Sequence, residues 1–203
     1  MMHRCFWMAI VAAALFWTAA SQPRLAQANP IQWLDSGLIE VGDVYFPARS
    51  KVSQTTMEIE GAGILRYWGF SVYAAAFYLP DGQTSGQDFL NQNIAKKLII
   101  EYVRPIDRED IIRATIANLQ QNPEVDYEAL KPKYEQFFES LVSVKENDIY
   151  TAIYYPDQGT GFYLNGERKA LIKGREFAGS FFGIWLSEYP IDRGLRDALL
   201  GKD

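Results

Sequence analysis

The sequence predicts an α+β fold in which an antiparallel sheet is covered by helices. Three observations predict it. Strand-like segments come in runs, before and after a helical block, instead of alternating with helices. Asn165-Gly166 separates two short strand segments in the manner of a tight hairpin. The hydrophobic period changes abruptly after Pro105, from extended to helical spacing.

The elements follow in order. Leu38–Val41 and Asp43–Pro47 read as strands, with a turn at Gly42. Thr56–Glu60 and Ile64–Trp68 read as two further strands split by Gly61-Ala62-Gly63. Phe70–Leu79 is a long β-rich run that ends at Pro80-Asp81-Gly82, and Lys97–Val103 reads as a buried strand stopped by Pro105. Asp107 takes the N-cap position of a first helix, with Glu109 and Asp110 matched to its dipole and Arg108 solvated beside them. Ile112, Ile116 and Leu119 repeat at helical spacing until Asn122-Pro123. A second helix is expected over Tyr127–Val144, with Leu130, Tyr134, Phe137, Leu141 and Val144 on one face and Pro132 in its first turns. Three strands follow, at Ile149–Tyr155, Thr160–Leu164 and Arg168–Ile172. A helix over Glu176–Leu186 carries Phe177, Phe181, Ile184 and Trp185, and a short last helix starts near Asp192. Gly179 and Gly183, one turn apart, imply a close approach on that helix face, by the sheet packing against it or by a ligand.

The N-terminus has its own pattern. Arg4 precedes an apolar run from Cys5 to Ala20, and Ala26-Gln27-Ala28 is a small-x-small site. This is a secretory signal pattern, shorter than the roughly 20 residues of a membrane span. The expected layout is a signal peptide over residues 1–28, cleaved after Ala28, and a single soluble domain over 29–203. Export to the periplasm or the exterior follows.

His3 and Cys5 are the only residues of their types, and both lie in the signal. Ser-His-Asp and Cys-His catalysis are therefore excluded from the remainder, as is a His/Cys zinc site. No metal and no cofactor is expected. Without Arg4 and Arg24, 18 basic residues face 25 acidic ones, a net charge of −7. That balance argues against nucleic acid, and against anionic membrane surfaces, as partners.

Several segments resemble a known family. Phe70–Pro80 (FSVYAAAFYLP), Lys97–Asn118 (KLIIEYVRPIDREDIIRATIAN) and Gly174–Leu186 (GREFAGSFFGIWL) are similar to segments of the chalcone isomerase family, in the same order and at the same spacing. The resemblance runs over Thr56–Leu200 and is nearest to the secreted bacterial branch with a chalcone isomerase-like domain. It implies an open-faced antiparallel sheet under a layer of helices, with an apolar cleft between them. It also implies a site built from an Arg and a Thr on the early strands, a Tyr, a Lys and an Asn on the helix after the proline, and a hydroxyl on the closing helix. Laid along this chain, the Tyr, Lys and Asn positions fall on Ile111, Ala114 and Asn118, the Thr on Tyr73, and the last hydroxyl near Ile184. The Arg position falls near Glu60 or Gly61, leaving Arg66 as the nearest arginine.

Only the Asn is kept, so the phenol and ammonium that hold a phenolate are missing. The resemblance also covers non-catalytic members that hold a fatty acid through an Arg and a Tyr. Arg66, Tyr73 and Asn118 are accordingly the candidate ligand-binding residues, and no catalytic residue is assigned. A guanidinium and a phenol suit a carboxylate head group. The expected function is non-catalytic binding of a fatty-acid-like ligand in the cell envelope. Two alternatives stand beside it: an isomerase or lyase with a rearranged site of Arg66, Tyr67, Tyr73 and Asn118, and an accessory protein that binds a partner through its helices.

Overall fold

The computed structural model describes residues 37–86 and 89–202, so the signal segment expected at residues 1–28 lies outside the described residues. Nine strands and four helices run in the order β1 Leu38–Val41, β2 Val44–Pro47, β3 Arg49–Val52, β4 Thr55–Tyr67, β5 Phe70–Pro80, β6 Lys96–Tyr102, α1 Arg108–Gln121, α2 Tyr127–Glu139, β7 Ile149–Tyr155, β8 Gly159–Leu164, β9 Glu167–Ile172, α3 Arg175–Leu186 and α4 Arg193–Leu199. A 3-10 turn, Phe89–Asn91, precedes β6. Strands β3 to β9 form one antiparallel sheet in sequence order, and β1–β2 form a separate hairpin.

The side-chain alternation of the strands gives the sheet two faces. Tyr73, Phe77, Leu98, Tyr102, Tyr150 and Phe162 point toward the helices and join their core. Ala74, Tyr78, Ile99, Ile149 and Ile153 point the other way, against Val44, Phe46, Val52 and Met57. The helices cover one face, as expected. The β1–β2 hairpin and β3 cover part of the second face, and the Tyr78 hydroxyl donates to Pro47 O at 3.0 Å to hold them there.

Three local expectations change. The Gly61-Ala62-Gly63 run does not split a strand: β4 continues through it for 13 residues. The glycines serve a tertiary contact, because α4 lies directly on them. A Cβ at Gly61 would overlap the Ala198 carbonyl oxygen, and one at Gly63 would sit 2.8 Å from Ala198 Cβ. Helix α2 ends at Glu139 instead of Val144. Leu141 and Val144 remain buried, but as extended chain, with Val144 bridging to Ile106. Arg108 is more than a solvated residue at a helix start. Its guanidinium donates to Leu141 O at 2.9 Å and Phe138 O at 2.8 Å, tying α1 to carbonyls at and just past the end of α2.

Other expectations hold. Asp107 occupies the N-cap position of α1, although its side chain makes no cap hydrogen bond. Asp192 caps α4, accepting from Leu195 N at 2.7 Å. Asn165 and Gly166 both have positive φ, 51° and 82°, as a type I′ hairpin turn requires. On α3, Gly179 faces the 3-10 turn, where a Cβ would lie 3.2 Å from Asn91 Oδ1. The close neighbour inferred from its sequence is this turn, not the sheet.

Candidate functional site

The layer between sheet and helices is built from rings. Phe137 of α2, Phe162 of β8 and Phe177 and Phe181 of α3 stack around one another, with centroid distances from 4.5 to 6.5 Å. Helix α3 is apolar on nearly every side, so it is buried almost throughout. At one end of this layer the rings become phenols. Tyr73 on β5, Tyr102 on β6 and Tyr150 on β7 lie on adjacent strands and on the helix-facing side. Tyr73 and Tyr102 are cross-strand partners with rings edge to face at 5.8 Å.

The hydroxyls of these phenols are held differently. Tyr73 Oη accepts from Trp185 Nε1 on α3 at 2.8 Å, which leaves its own proton to give. Tyr150 Oη is buried and makes no hydrogen bond of normal geometry among the described residues. Ser140 lies nearby: its hydroxyl proton goes to Phe137 O at 2.6 Å, and its oxygen is left able to accept from Tyr150. Burial raises the pKa of all three phenols, for Tyr73 against the opposing effect of the Trp185 bond. They therefore stay protonated near neutral pH, as hydrogen-bond donors and acceptors and not as bases.

Asn118 is buried on α1 and donates from Nδ2 to Tyr189 O at 3.1 Å. Tyr73 and Asn118 thus anchor to the same stretch, Trp185 to Tyr189, at the end of α3. The buried side of α1 carries Thr115, Asn118 and Leu119, while Ala114 is exposed. The stripe Ile111, Ala114 and Asn118 implied by the resemblance is therefore rotated, with Thr115 inward in place of Ala114. Thr115 is itself used locally, donating to Ile111 O at 2.8 Å. Ile184 is buried in the core of α3.

Arg66 stands apart from both. A bulge between Leu65 and Arg66 places Leu65 opposite Tyr73 and Arg66 opposite Ser71. Arg66 is exposed near the end of the β4–β5 hairpin, as is Tyr67. The backbone at Gly61, where the resemblance places an arginine, is covered by α4, so no side chain fits there. Its neighbour Glu60 accepts from Ser85 N at 2.9 Å and Ser85 Oγ at 2.6 Å.

A family model described as chalcone isomerase-like matches residues 38–201. The chain belongs to the chalcone isomerase-like family. Its fold, a curled antiparallel sheet packed with four helices, is also that of a crystal structure of a fatty-acid binding protein from Arabidopsis thaliana. That likeness has a TM-score of 0.61 at 15% identity and covers 78% of this chain and 92% of the plant protein. No curated protein sequence matches the chain. Within the chalcone isomerase-like fold, the phenol end of the layer lies where β5, α1 and the end of α3 meet.

Two features escaped sequence reasoning. Lys96 and Lys97 are both fully buried, on opposite faces of β6. Lys96 Nζ donates to Gln92 O at 2.7 Å over the Tyr154 ring, and Lys97 Nζ donates to Ser50 Oγ at 3.1 Å over the Tyr78 ring. Beside Lys96 is an open cavity of about 360 Å³, lined by Asn93, Tyr154, Asp157, Lys173 and Arg175 among others. Its polar groups pair with one another: Tyr154 Oη donates to Asn93 Oδ1 at 2.6 Å and Asn93 Nδ2 to Asp157 Oδ1 at 3.0 Å. Among the described residues no group of three or more His, Cys, Asp or Glu side chains is placed to hold a metal ion.

Proposed function

We propose that this chalcone isomerase-like protein is a non-catalytic carrier of a fatty-acid-like ligand, working in the cell envelope after export. The observation that carries the reading is the pair of buried hydroxyls of Tyr73 and Tyr150 at the phenol end of an otherwise apolar layer. Tyr73 keeps a proton to give and Tyr150 has only the Ser140 oxygen beside it, so this end can take up an acceptor from outside. A carboxyl or hydroxyl head group set among Tyr73, Tyr150 and Asn118 supplies that acceptor, and the rings toward Phe162 and Phe181 supply apolar surface for a chain. Arg66, exposed on the hairpin, stands away from this phenol end and is given no part in holding the head group. The fatty-acid binding of the plant structure supports the reading by likeness of fold.

Isomerase chemistry is the weaker alternative. Phenols held protonated supply no base, and Ile111 and Ala114 offer no cation or phenol at the positions the resemblance assigns to them.

Native mass spectrometry of the protein purified from its own envelope, followed by lipid extraction, tests the carrier. A co-purifying fatty acid at one per chain, lost in Tyr73→Phe/Tyr150→Phe, is the expected result. Protein that is empty and takes up neither fatty acid nor flavonoid sinks the reading, and favours a layer filled only by its own side chains. Amino-terminal sequencing of the same material checks cleavage after Ala28.

A further inference from the structure

The three most exposed large apolar side chains among the described residues sit together. Tyr67, Trp68 and Phe70 are 69%, 84% and 66% exposed, at the turn joining β4 to β5. The Tyr67 and Trp68 ring centroids are 6.2 Å apart, and the Arg104 guanidinium lies over the Phe70 ring at 5.9 Å. Exposed apolar clusters of this kind mark contact surfaces.

The turn itself gives a second reason. Trp68 and Gly69 have φ of 53° and 82°, the same type I′ geometry as Asn165 and Gly166 at 51° and 82°. Asparagine tolerates the left-handed region, whereas a bulky aromatic held there costs roughly 1–2 kcal/mol. Trp68 recovers none of that by packing inside the protein, because it points into solvent. The hairpin therefore keeps an indole at its tip against the preference of its own backbone.

Charge identifies what the tip meets. From Gly61 to Pro80 there is no acidic residue, and Arg66 is the only cation. Arg66 and Arg104 are both exposed, one on β4 and one beyond β6, flanking the rings. The net negative charge of the whole chain spoke against anionic membranes, but screening over about 8–10 Å makes the local charge the relevant one. Indole and phenol groups partition into the headgroup region of bilayers, and guanidinium groups pair with lipid phosphates.

We propose that the β4–β5 tip docks on a phospholipid bilayer, with Tyr67, Trp68 and Phe70 in the headgroup region and Arg66 and Arg104 on anionic phosphates. The proposal stands whether or not the layer beneath the helices carries a ligand.

Vesicle co-sedimentation and tryptophan fluorescence test it. The protein is used as it accumulates in the envelope, with all variants in that same background, against vesicles of phosphatidylethanolamine and phosphatidylglycerol and against phosphatidylcholine alone. Binding to the anionic vesicles is expected to fall about tenfold or more in Y67A/W68A/F70A. It falls about fivefold in Arg66→Ala or Arg104→Ala, with little change on phosphatidylcholine. Brominated lipid quenches a signal that disappears in Trp68→Phe. Trp68→Asn provides the folding control, since it suits the turn: its melting temperature is expected to hold or rise while vesicle binding drops. Equal binding by wild type and the triple variant overturns the proposal. So does absence of quenching at Trp68, or tip-dependent self-association or protein capture without vesicle binding.

Discussion

Lys96 and Lys97 are neighbours in sequence and both fully buried, yet they enter different worlds. Lys96 faces the helix side, where its ammonium meets backbone carbonyls of the 3-10 turn region and lies near Arg175. Lys97 faces the second side, beneath β2 and β3, with the Ser50 hydroxyl and the Tyr78 ring. The two faces differ in the same sense throughout. The helix face is aromatic, thick and furnished with phenol hydroxyls, whereas the second face is largely aliphatic under a thin cover. A layer with spare hydrogen-bonding capacity is one that can receive a polar head group, and only the helix face combines that capacity with an extensive ring surface.

The comparison is broken most directly by truncating one core on each side. Phe162→Ala on the helix face is expected to destabilise by about 4 kcal/mol, since Phe162 touches rings from α2, α3 and β7. Met57→Ala on the second face is expected to lose about 3 kcal/mol, its thinner cover collapsing more readily into the gap. Urea unfolding of the two variants measures both. A second-face loss larger than the helix-face loss would reverse the ranking.

Gly61→Ala comes next, at about 2–3 kcal/mol, because the new Cβ meets the backbone of α4 and not a side chain that can turn away. Hydrogen exchange should show the effect concentrated in α4, with β6 to β9 keeping their protection. Uniform loss of protection would mean that α4 and the sheet unfold as one unit.

How much of this was legible in the sequence depended on the range of the interaction. The Asn165-Gly166 turn, the short helix starting near Asp192 and the β5 run are dictated by neighbours within a few residues, and they stand as expected. The continuity of β4 through Gly61 and Gly63 was not legible, because α4, more than 130 residues later, supplies its reason. The burial of Tyr73 followed from its apolar strand. Its partner Trp185 is 112 residues away, and no local pattern announces that bond. Arg66 was ambiguous because its direction turns on the bulge after Leu65. Lys97 opens a strand expected to be buried and Lys96 falls just outside it; the burial of either ammonium was not legible, because it is set by distant cover and not by composition.

The buried lysines also predict a pH dependence. Desolvation lowers Lys97 to about 7 and, with Arg175 adding to it, Lys96 to about 8, against an ordinary value near 10.5. Between these limits the unfolded chain binds more protons than the folded one, so stability should rise from about pH 7 toward pH 10. Above pH 10 the sign reverses, because the buried tyrosines hold protons that the unfolded chain releases. Urea titrations at several pH values measure the rise. Lys97→Met should flatten it more than Lys96→Met, and an unchanged slope in Lys97→Met would show that its ammonium stays charged when folded.

The smallest expected effects bear most directly on function. Tyr73→Phe removes the acceptor of Trp185 Nε1 and leaves a buried indole N–H unpaired, so a loss of about 1–2 kcal/mol is expected. Tyr150→Phe removes a hydroxyl that makes no good bond in the folded chain, so the apo protein should be stabilised by about 1 kcal/mol. If that hydroxyl serves a ligand, the same variant must hold fatty acid less tightly while melting at a higher temperature. Opposite signs in stability and retention are the mark of a group kept for something other than the fold. A Tyr150→Phe variant that loses stability would instead show that the hydroxyl already has a partner within the protein, Ser140 being the nearest.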